Sequence, residues 1–365
     1  MSQQLYDIRV SQIRTETSHA KVISFDIPPH LLEQFRFEPG QYITLEADVN
    51  GKKVRRSYSI CSHRDEPLSI GVKKVDGGVM SSYLNNHAVV GQLLKVLPPL
   101  GKFTVDAQPF KQKHYVLFAG GSGITPMLAI IKALLADEPS SNITLLYANR
   151  NEEHIMFREL FDSYSQQHPN RFKVVYTLDE PLGNWDGYSG KFSKERAVEM
   201  LDANVPDAIN VLYYVCGPSP MMELIENLLM QRGVNIERIH KEFFSSHTNT
   251  EPGIAGGHAE STNNAMKVSD TPLKTASLTF QLDGSEYNVE YRGEDSILEA
   301  ALDGGVDAPY ACQIGACCTC RAKVTEGQVI MADRESLSDS EIEEGYVLTC
   351  QSKPLTERVV YSYDA

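Results

Sequence analysis

The sequence predicts a multidomain chain in which an antiparallel β-barrel is followed by a doubly wound α/β domain and a small α+β domain. Three observations predict this order. Residues 1–107 contain short alternating or β-branched runs, residues 108–244 alternate strands with helices, and residues 277–365 surround a group of cysteines. A chain of 365 residues is long enough for three domains, each with its own core.

The first domain is expected to be a barrel because its strands are short and closely spaced. The runs KVISFDI, QYITLEA and LSIGVKKV lie among turn-forming segments, which are PPH, EPG and VNGKK. An open sheet of such strands would leave unpaired edges, and closing the sheet on itself removes them. A small antiparallel barrel is therefore the simplest arrangement for residues 1–107.

The second domain is marked by a change of pattern after residue 107. The apolar strand HYVLFAG leads into GSGITP and the helical run MLAIIKALLAD. There follow the strand NITLLYANR, the helix EEHIMFRELFDSYSQQ, the strands FKVVYTLD and NVLYYVCG, and the helix SPMMELIENLLMQRG. Strands that alternate with helices predict a parallel sheet with helices on both faces.

A linker and a third domain complete the chain. Residues 245–276 are rich in Ser, Thr, Asn, Gly and Pro and have almost no apolar periodicity, which predicts a flexible linker. The run SLTFQLDGSEYNVEYR is typical of a hairpin that turns at Asp283-Gly284. SILEAALDGG is then expected to be a helix that ends at glycine.

Composition limits the possible functions and partners. The net charge of −14 argues against a nucleic-acid partner, and no apolar run approaches the roughly 18 residues of a membrane span. The start, MSQQLYDIRVSQIRTE, lacks the apolar core of a secretory signal, so we expect a cytoplasmic protein with reduced thiols. Residues 277–365 contain 17 acidic and 6 basic side chains. This acidic segment favours either solubility or docking to a basic partner, and both interpretations stay open.

The loop YACQIGACCTC, residues 310–320, contains four of the seven cysteines. Cys312, Cys317 and Cys320 have the spacing C-x4-C-x2-C, and Cys350 follows after 29 residues. This is the spacing of plant-type [2Fe–2S] ligation, in which four thiolates hold two irons. Zinc is the alternative, but zinc sites usually contain a second cysteine pair or histidines, and no second pair follows here.

Two further observations complete the prediction for the loop. Cys318 lies between two predicted ligands, so its side chain should point away from the metal as a packed thiol. No histidine occurs after His258, which further weakens the zinc alternative.

Two parts of the sequence resemble known families. Residues 277–365 resemble a plant-type ferredoxin, which implies a β-grasp-like α+β fold, and the first 244 residues resemble a ferredoxin–NADP reductase. The reductase resemblance rests on four segments, RRSYSICS, GGVMSSYL, GGSGITP and CGPSPMM. The reductase resemblance implies FAD, with NADPH or NADH as the substrate, and the ferredoxin resemblance implies a [2Fe–2S] cluster.

The flavin residues are those that match the reductase motifs. Arg56 is implied to pair with the FAD pyrophosphate, Tyr58 to stack on the flavin ring and Ser59 to reach the N5 edge. A second phosphate site is implied where a helix begins, and its arrangement occurs with FAD more often than with FMN. Its residues are Gly78, Val79, Met80 and Ser81, and Lys73 is a further candidate for cofactor binding.

The nucleotide residues are carried over in the same way. The glycine-rich loop implies contacts from Gly121, Gly123, Thr125 and Pro126. The segments CGPSPMM and KEFF place Cys216, Gly217, Glu242 and Phe244 close to the nicotinamide or the flavin, and Ser59, Cys216 and Glu242 are the candidate catalytic residues. Arg150, close to Glu152, favours NADPH because arginine can accommodate its 2′-phosphate.

The three domains suggest one function. A flavin can accept two electrons from a nicotinamide and release them one at a time to a one-electron carrier. Fusions in this order resemble the reductase components of multicomponent oxygenases, such as those of phenylacetyl-CoA epoxidase and 3-ketosteroid 9α-hydroxylase. A reductase for a hybrid-cluster protein, and a redox-sensing or zinc-stabilised binding module without turnover, are the alternatives.

Overall fold

The structure is a computed structural model, and it describes residues 4–49, 51–205, 211–244, 253–256, 271–294, 296–310, 313, 315, 319–332, 337 and 339–365. The chain forms two compact units. One covers Leu5–Phe244, and the other is built mainly from Ser245–Ala365. In the described part of the chain, no helix has the length and apolar character that crossing a membrane requires.

The first half of the larger unit is the expected antiparallel barrel. Its strands are β1 Tyr6–Thr17, β2 Ala20–Asp26, β3 Tyr42–Val49, β4 Lys52–Ser59, β5 Ser69–Lys73 and β6 Leu93–Leu100. They pair in the order β4-β3-β6-β1-β2-β5, and a bridge between Ile60 and Ile70 closes the ring. Helix α1, Val79–Asn86, packs against β5 and follows it after a short loop.

The second half of the larger unit is the expected parallel sheet. Its strands are β7 His114–Gly120, β8 Asn142–Asn149, β9 Phe172–Leu178, β10 Tyr188–Ser189, β11 Val211–Gly217 and β12 Ile239–Phe243. Its helices are α2 Ile124–Asp137, α3 Arg158–Gln167, α4 Lys194–Asn204 and α5 Ser219–Gln231. The order β10-β9-β8-β7-β11-β12 reverses direction at β7, and such a switch point is where open parallel sheets bind ligands.

Two helices differ from the expectations. The helix predicted from EEHIMFRELFDSYSQQ begins only at Arg158, because Phe157 has a left-handed φ of 61°. The Phe157 N–H donates to Glu16 Oε1 of the barrel at 2.8 Å, a contact that fixes this turn from outside the segment. Helix α4 was absent from the expectations, although Ser193 caps it by accepting a hydrogen bond from Arg196 N–H.

The barrel and the parallel sheet are closely packed within their unit. A Cβ added at Gly71 of β5 would lie 2.6 Å from Thr125 Cγ2 of α2, so only glycine fits this contact. Lys132 of α2 forms an ion pair of 2.5 Å with Glu66 of the barrel. The apolar core under α2 also includes side chains from both halves of the unit.

The smaller unit has the expected α+β composition. Its strands are β13 Gly253–Gly256, β14 Ala276–Leu282, β15 Ser285–Tyr291, β16 Arg321–Glu326, β17 Gln328–Met331, β18 Tyr346–Leu348, β19 Ser352–Pro354 and β20 Arg358–Ser362. Its helices are α6 Ile297–Asp303 and α7 Asp339–Glu343. The main sheet has the order β15-β14-β20-β16-β18, and β14 and β20 are its parallel pair.

The hairpin turn and the linker region allow two predictions for this unit to be compared with the structure. Asp283 and Gly284 have φ values of 52° and 72°, as the predicted turn requires. Within the predicted linker, β13 pairs antiparallel with β17, from Gly253 opposite Met331 to Gly256 opposite Gln328. The rest of the linker prediction falls mostly outside the described residues, and the domain boundaries stay predictions.

Candidate functional site

Strand β4 carries the three residues of the predicted flavin motif. Arg56 is exposed, Tyr58 is half-buried, and Ser59 is buried where the strand ends. Burial raises the pKa of the Tyr58 hydroxyl, and the Arg56 guanidinium nearby acts in the opposite direction. The strand therefore presents a cation suited to a phosphate beside an aromatic ring suited to a flat ring system.

Helix α1 begins where the second phosphate motif predicts it. Gly78 precedes the first turn, and a Cβ added there would lie 2.5 Å from Ser81 Oγ. Ser81 Oγ accepts a hydrogen bond of 3.1 Å from Val75 N–H, so this hydroxyl holds the loop in place. The first helical hydrogen bond runs from Ser82 N–H to Gly78 O, which leaves the amides of residues 79–81 at the helix start, where an anion is favoured.

A cavity of about 500 Å³ opens beside α1. It is lined by Asp48, Val49, Val79, Ser82, Tyr83 and His87. The side chain of Met80, by contrast, is 1% exposed and belongs to the barrel core, so only its backbone could contact a ligand. This cavity runs along one face of α1 from Val79 to the C-cap His87, and its lining does not include the flavin-motif residues Arg56, Tyr58 and Ser59.

The glycine-rich loop follows β7 at the switch point of the parallel sheet. Gly121 has a φ of 52°, and its carbonyl accepts a hydrogen bond of 3.0 Å from the Tyr147 hydroxyl. A Cβ added at Gly123 would lie 2.1 Å from Cys216 O, so a side chain cannot be accommodated there. These glycines allow the loop to lie directly on β11 and leave its amides near the carboxyl end of the sheet.

The other predicted loop residues hold the start of α2. Thr125 is 2% exposed, and its hydroxyl donates to Ser122 O at 3.0 Å. Pro126 lies in the first turn of α2, where its missing N–H breaks no helical hydrogen bond. Both residues therefore support the loop through the structure of the helix start.

Lys73 ends β5 and lies close to this loop. A Cβ added at Gly121 would be 3.5 Å from Lys73 Nζ. Burial lowers the pKa of the Lys73 ammonium, as expected for a cation with reduced access to water. An ammonium in this position is suited to a phosphate bound at the loop.

The candidate catalytic pair lies at the carboxyl end of β11. Cys216 and Glu242 are register partners on the adjacent parallel strands β11 and β12. Burial raises the pKa of the Cys216 thiol, and the neighbouring Glu242 raises it further. Burial also raises the pKa of Glu242 to about 8, so both groups hold protons at neutral pH.

Two neighbours of this pair are also predicted site residues. A Cβ added at Gly217 would lie 3.0 Å from the backbone of Gly120, so the turn after β11 packs closely against the end of β7. Phe244 is partly buried and packs against the same apolar core as Cys216. The structure thus brings Gly123, Cys216 and Glu242 together at one end of the sheet, and their roles stay predictions.

Arg150 directly follows β8 at the same edge of the sheet. Its Nε lies 3.0 Å from Glu180 Oε2, and the two side chains are 66% and 67% exposed. An ion pair this exposed contributes little to stability, so the guanidinium can exchange Glu180 for a phosphate. Glu152 instead accepts a hydrogen bond of 2.7 Å from Leu182 N–H.

In the smaller unit, two of the four predicted cluster ligands can be described. Cys320 and Cys350 are 2% and 8% exposed, whereas Cys312 and Cys317 lie outside the described residues. Cys320 O accepts hydrogen bonds from the N–H and the hydroxyl of Thr349, at 3.2 Å and 3.0 Å. These bonds join the end of the cysteine loop to the residue before Cys350.

A tyrosine and a threonine surround these two thiols. Tyr363 Oη lies 3.0 Å from Thr349 Oγ1 and is close enough to Cys320 and Cys350 for both to affect its ionisation, although burial is the main cause of its raised pKa. Across the described residues, no three His, Cys, Asp or Glu side chains come together as a metal site. Two buried thiols joined through Thr349 fit half of a four-cysteine cluster.

Sequence reasoning missed several residues that support these sites. Tyr147 holds Gly121, and the hydroxyls of Thr349 and Tyr363 surround the cysteines. Each occurs in an ordinary strand or turn, and no local pattern distinguishes it from a core residue. Their roles depend on contacts between distant segments.

Comparison with protein families identifies the cofactors of the three domains. Residues 7–105 match the oxidoreductase FAD-binding domain, residues 117–227 the oxidoreductase NAD-binding domain, and residues 280–355 the 2Fe-2S iron-sulfur cluster binding domain. The fold and the sites thus define an oxidoreductase with domains for FAD, NAD and a [2Fe–2S] cluster.

Whole-chain relatives narrow this class. The chain is 36% identical to one of the subunits of 1,2-phenylacetyl-CoA epoxidase from Escherichia coli (strain K12), over 99% of this chain and 98% of that protein. It is 31% identical to the ferredoxin reductase component of 3-ketosteroid-9-alpha-monooxygenase from Rhodococcus rhodochrous, over 96% of this chain and 95% of that protein. It belongs to the family of oxygenase reductase components that these proteins represent.

A solved structure shows the same architecture. Phthalate dioxygenase reductase, described as a modular structure for electron transfer from pyridine nucleotides to [2Fe–2S], aligns with a TM-score of 0.62 and 21% identity. The alignment covers 98% of each chain. The barrel, the parallel sheet and the iron–sulfur domain are therefore a shared fold.

Proposed function

We propose that this chain is the NAD(P)H-dependent reductase component that supplies electrons to a partner oxygenase or hydroxylase. The observation that carries the proposal is the presence of FAD-binding, NAD-binding and 2Fe-2S domains in one chain. When bound, FAD converts a two-electron donor into a source of single electrons, which the cluster can carry. The relative from the epoxidase makes phenylacetyl-CoA epoxidase a specific candidate for the partner, with a steroid hydroxylase second.

We assign the residues of the chain to this function as follows. Arg56, Tyr58, Ser59 and the start of α1 would hold and orient FAD. Lys73 and the loop at Gly121–Gly123 would hold the nucleotide phosphates. Because the raised pKa of Glu242 keeps its carboxyl protonated, this side chain would add no negative charge beside Cys216 and the nicotinamide. The four cysteines, Cys312, Cys317, Cys320 and Cys350, would ligate the cluster.

We infer domain boundaries of 1–107 for the FAD-binding barrel, 108–244 for the NAD(P)-binding domain, 245–276 for the linker and 277–365 for the ferredoxin domain. The ranges matched by the three families are consistent with them. The acidic surface of the last segment suits a basic face on the partner. A cytoplasmic location is expected because cluster ligands must stay reduced.

The spectrum of the purified full chain is the first test. Flavin absorption together with a sulfur-to-iron band is expected, and anaerobic NADPH or NADH should bleach both. Iron measured at about two per chain would agree with one [2Fe–2S] cluster. A colourless protein that contains zinc and no iron would contradict the proposal.

Cutting the chain between residues 245 and 252, which leaves β13 with the smaller unit, tests the order of transfer. The N-terminal half should still oxidise NAD(P)H with ferricyanide, because this acceptor can take electrons directly from flavin. It should lose most transfer to a protein acceptor, and the separate C-terminal half should restore it only at high concentration, since the tether's effective concentration, about millimolar, is lost. Equal transfer by the N-terminal half and the full chain would place the cluster off the electron path.

Nucleotide preference is tested at Arg150. We infer a preference for NADPH, because a guanidinium near the ribose end can bind the 2′-phosphate. Arg150→Gln should raise KM for NADPH about tenfold and change KM for NADH little, since a hydrogen bond to a charged group is worth about 1.5–3 kcal/mol. Glu180→Gln is the matched control and should lower KM for NADPH. Equal changes for both nucleotides in Arg150→Gln would contradict the inference.

A further inference from the structure

Gln351 follows the predicted ligand Cys350 in a short 3₁₀ turn, Thr349–Gln351, and its side chain points back to the cysteine. Its Nε2 lies 3.0 Å from Cys350 O, 3.3 Å from Gln313 O and 3.6 Å from Cys350 Sγ. The backbone of the same residue is also fixed, because Gln351 O accepts a hydrogen bond of 2.8 Å from Ala332 N–H.

The chemistry of these neighbours determines which end of the amide faces them. Carbonyl oxygens only accept hydrogen bonds, so the atom that contacts Gln313 O and Cys350 O must be the amide nitrogen. The two hydrogens of this nitrogen face three acceptors, so one of them is shared between a carbonyl oxygen and Cys350 Sγ, which lies at a distance that a hydrogen bond to sulfur allows. Because Cys350 is 8% exposed, water screens this interaction only weakly.

The contact with Gln313 extends the effect to the cysteine loop. Gln313 directly follows the predicted ligand Cys312 and has a left-handed φ of 60°, which is uncommon for a residue other than glycine. One amide thus joins the turn of the fourth predicted ligand to the residue after the first. Gln351 is in none of the motifs by which the sequence resembles its family.

We propose that Gln351 is a positioning residue that raises the reduction potential of the cluster by donating to Cys350 Sγ. Reduction adds one electron, and the added negative charge is shared by the ligand sulfurs. A donor at one sulfur stabilises the reduced form more than the oxidised form, so the potential rises. The inference rests on the proposed role of Cys350 as a cluster ligand.

The test is a redox titration of the full chain, followed by the electron paramagnetic resonance signal of the reduced cluster. Gln351→Met, which keeps the length but loses the donor, should lower the reduced-to-oxidised ratio at a fixed potential about three- to tenfold, or about 30–60 mV for one electron. Gln351→Glu should lower it further, because a carboxylate repels the carbonyls and the sulfur. Gln281→Leu is the control, since that side chain bonds Glu286 on an exposed strand and should leave the potential unchanged.

An unchanged potential in Gln351→Met protein that retains two irons would overturn the proposal. If the variant loses iron, the proposal is tested on unsubstituted protein whose glutamine side-chain amides are labelled with ¹⁵N. Pulsed electron paramagnetic resonance of the reduced cluster should detect weak coupling between the electron spin and ¹⁵N. This coupling should persist in Gln313→Met protein, which lacks the other nearby glutamine amide. Absence of coupling overturns the role of Gln351 alone, whereas Cys350→Ser protein with a normal cluster would overturn the ligand assignment as well.

Discussion

Two buried cysteines of this chain, Cys216 and Cys350, have opposite surroundings. Cys216 is 0% exposed and has the carboxyl of Glu242 as its neighbour on the next strand. Cys350 is 8% exposed and has the amide of Gln351 against its sulfur. Burial alone keeps a thiol protonated, and a carboxyl beside it strengthens that effect, whereas a hydrogen-bond donor stabilises the thiolate.

The difference teaches how one chain uses the same side chain for two purposes. In the proposed site, a protonated thiol at Cys216 would fill space beside the nicotinamide without adding charge there. A thiolate, in contrast, is the form that binds iron. On the proposed assignments, the neighbouring side chains, rather than the degree of burial, distinguish Cys216 from the cluster ligand Cys350.

The largest expected effect comes from removing the ligand. Cys350→Ser should lose the cluster, because serine supplies no thiolate to iron, and iron analysis with the visible spectrum measures the loss. Cys61→Ser is the matched control, since Cys61 is also buried and burial raises its pKa to about 12. Cys318→Ser should likewise keep about two irons. Two irons per chain in Cys350→Ser protein would show that the two cysteines do not differ as described.

A smaller effect is expected from moving the backbone at Cys216. Gly123→Ala would put a Cβ 2.1 Å from Cys216 O, so either the glycine loop or β11 must shift. Nicotinamide positioning should suffer, and kcat with ferricyanide should fall about a hundredfold, as for a displacement of about 1 Å at a reacting group. Ser122→Ala, in the same loop, should change kcat little. Normal kcat in Gly123→Ala would mean that the position of Cys216 is unimportant for hydride transfer.

The smallest expected effect is on the pH dependence of stability. The pKa of Glu242 is raised from 4.5 to about 8 in the folded chain, so the folded state keeps a proton that the unfolded state releases. The free energy of unfolding should therefore fall as pH rises from about 4.5 to 8. Glu242→Gln should remove this fall and gain about 1–3 kcal/mol on the unsubstituted chain between pH 5 and pH 8.

Thermal unfolding followed by flavin release at several pH values measures this gain. The exposed Glu223 provides the control, because Glu223→Gln should leave the pH dependence unchanged. A constant difference between the Glu242→Gln and unsubstituted chains at every pH would mean that Glu242 is already ionised beside Cys216.

Much of the fold was predictable because short-range patterns determine it. The hairpin at Asp283-Gly284 and the strand HYVLFAG need only local turn chemistry and apolar runs, and both occur as expected. Helix α4 was missed although Ser193 and the apolar positions Ala197 and Leu201 provided a signal. The start of α3 could not be predicted, since the turn at Phe157 is bonded to Glu16, which lies 141 residues away in sequence.

The candidate sites divide in the same way. The glycines and cysteines could be predicted, because each satisfies a local demand for space or for a ligand. Gln351 could not, because its contact with Gln313 joins segments 38 residues apart. A single sequence contains no record of such pairs.

The close contact at Gly71 has a consequence for engineering this chain. Since β5 of the barrel touches Thr125 at the start of α2, and Glu16 bonds Phe157, the two halves of the larger unit share side chains at their boundary. A chimaera that takes its nucleotide domain from another reductase would contain mismatched partners for the barrel residues Gly71 and Glu16. Changing nucleotide preference by transplanting a whole domain should therefore yield poorly folded hybrids, whereas point changes at the exposed Arg150 leave that boundary intact.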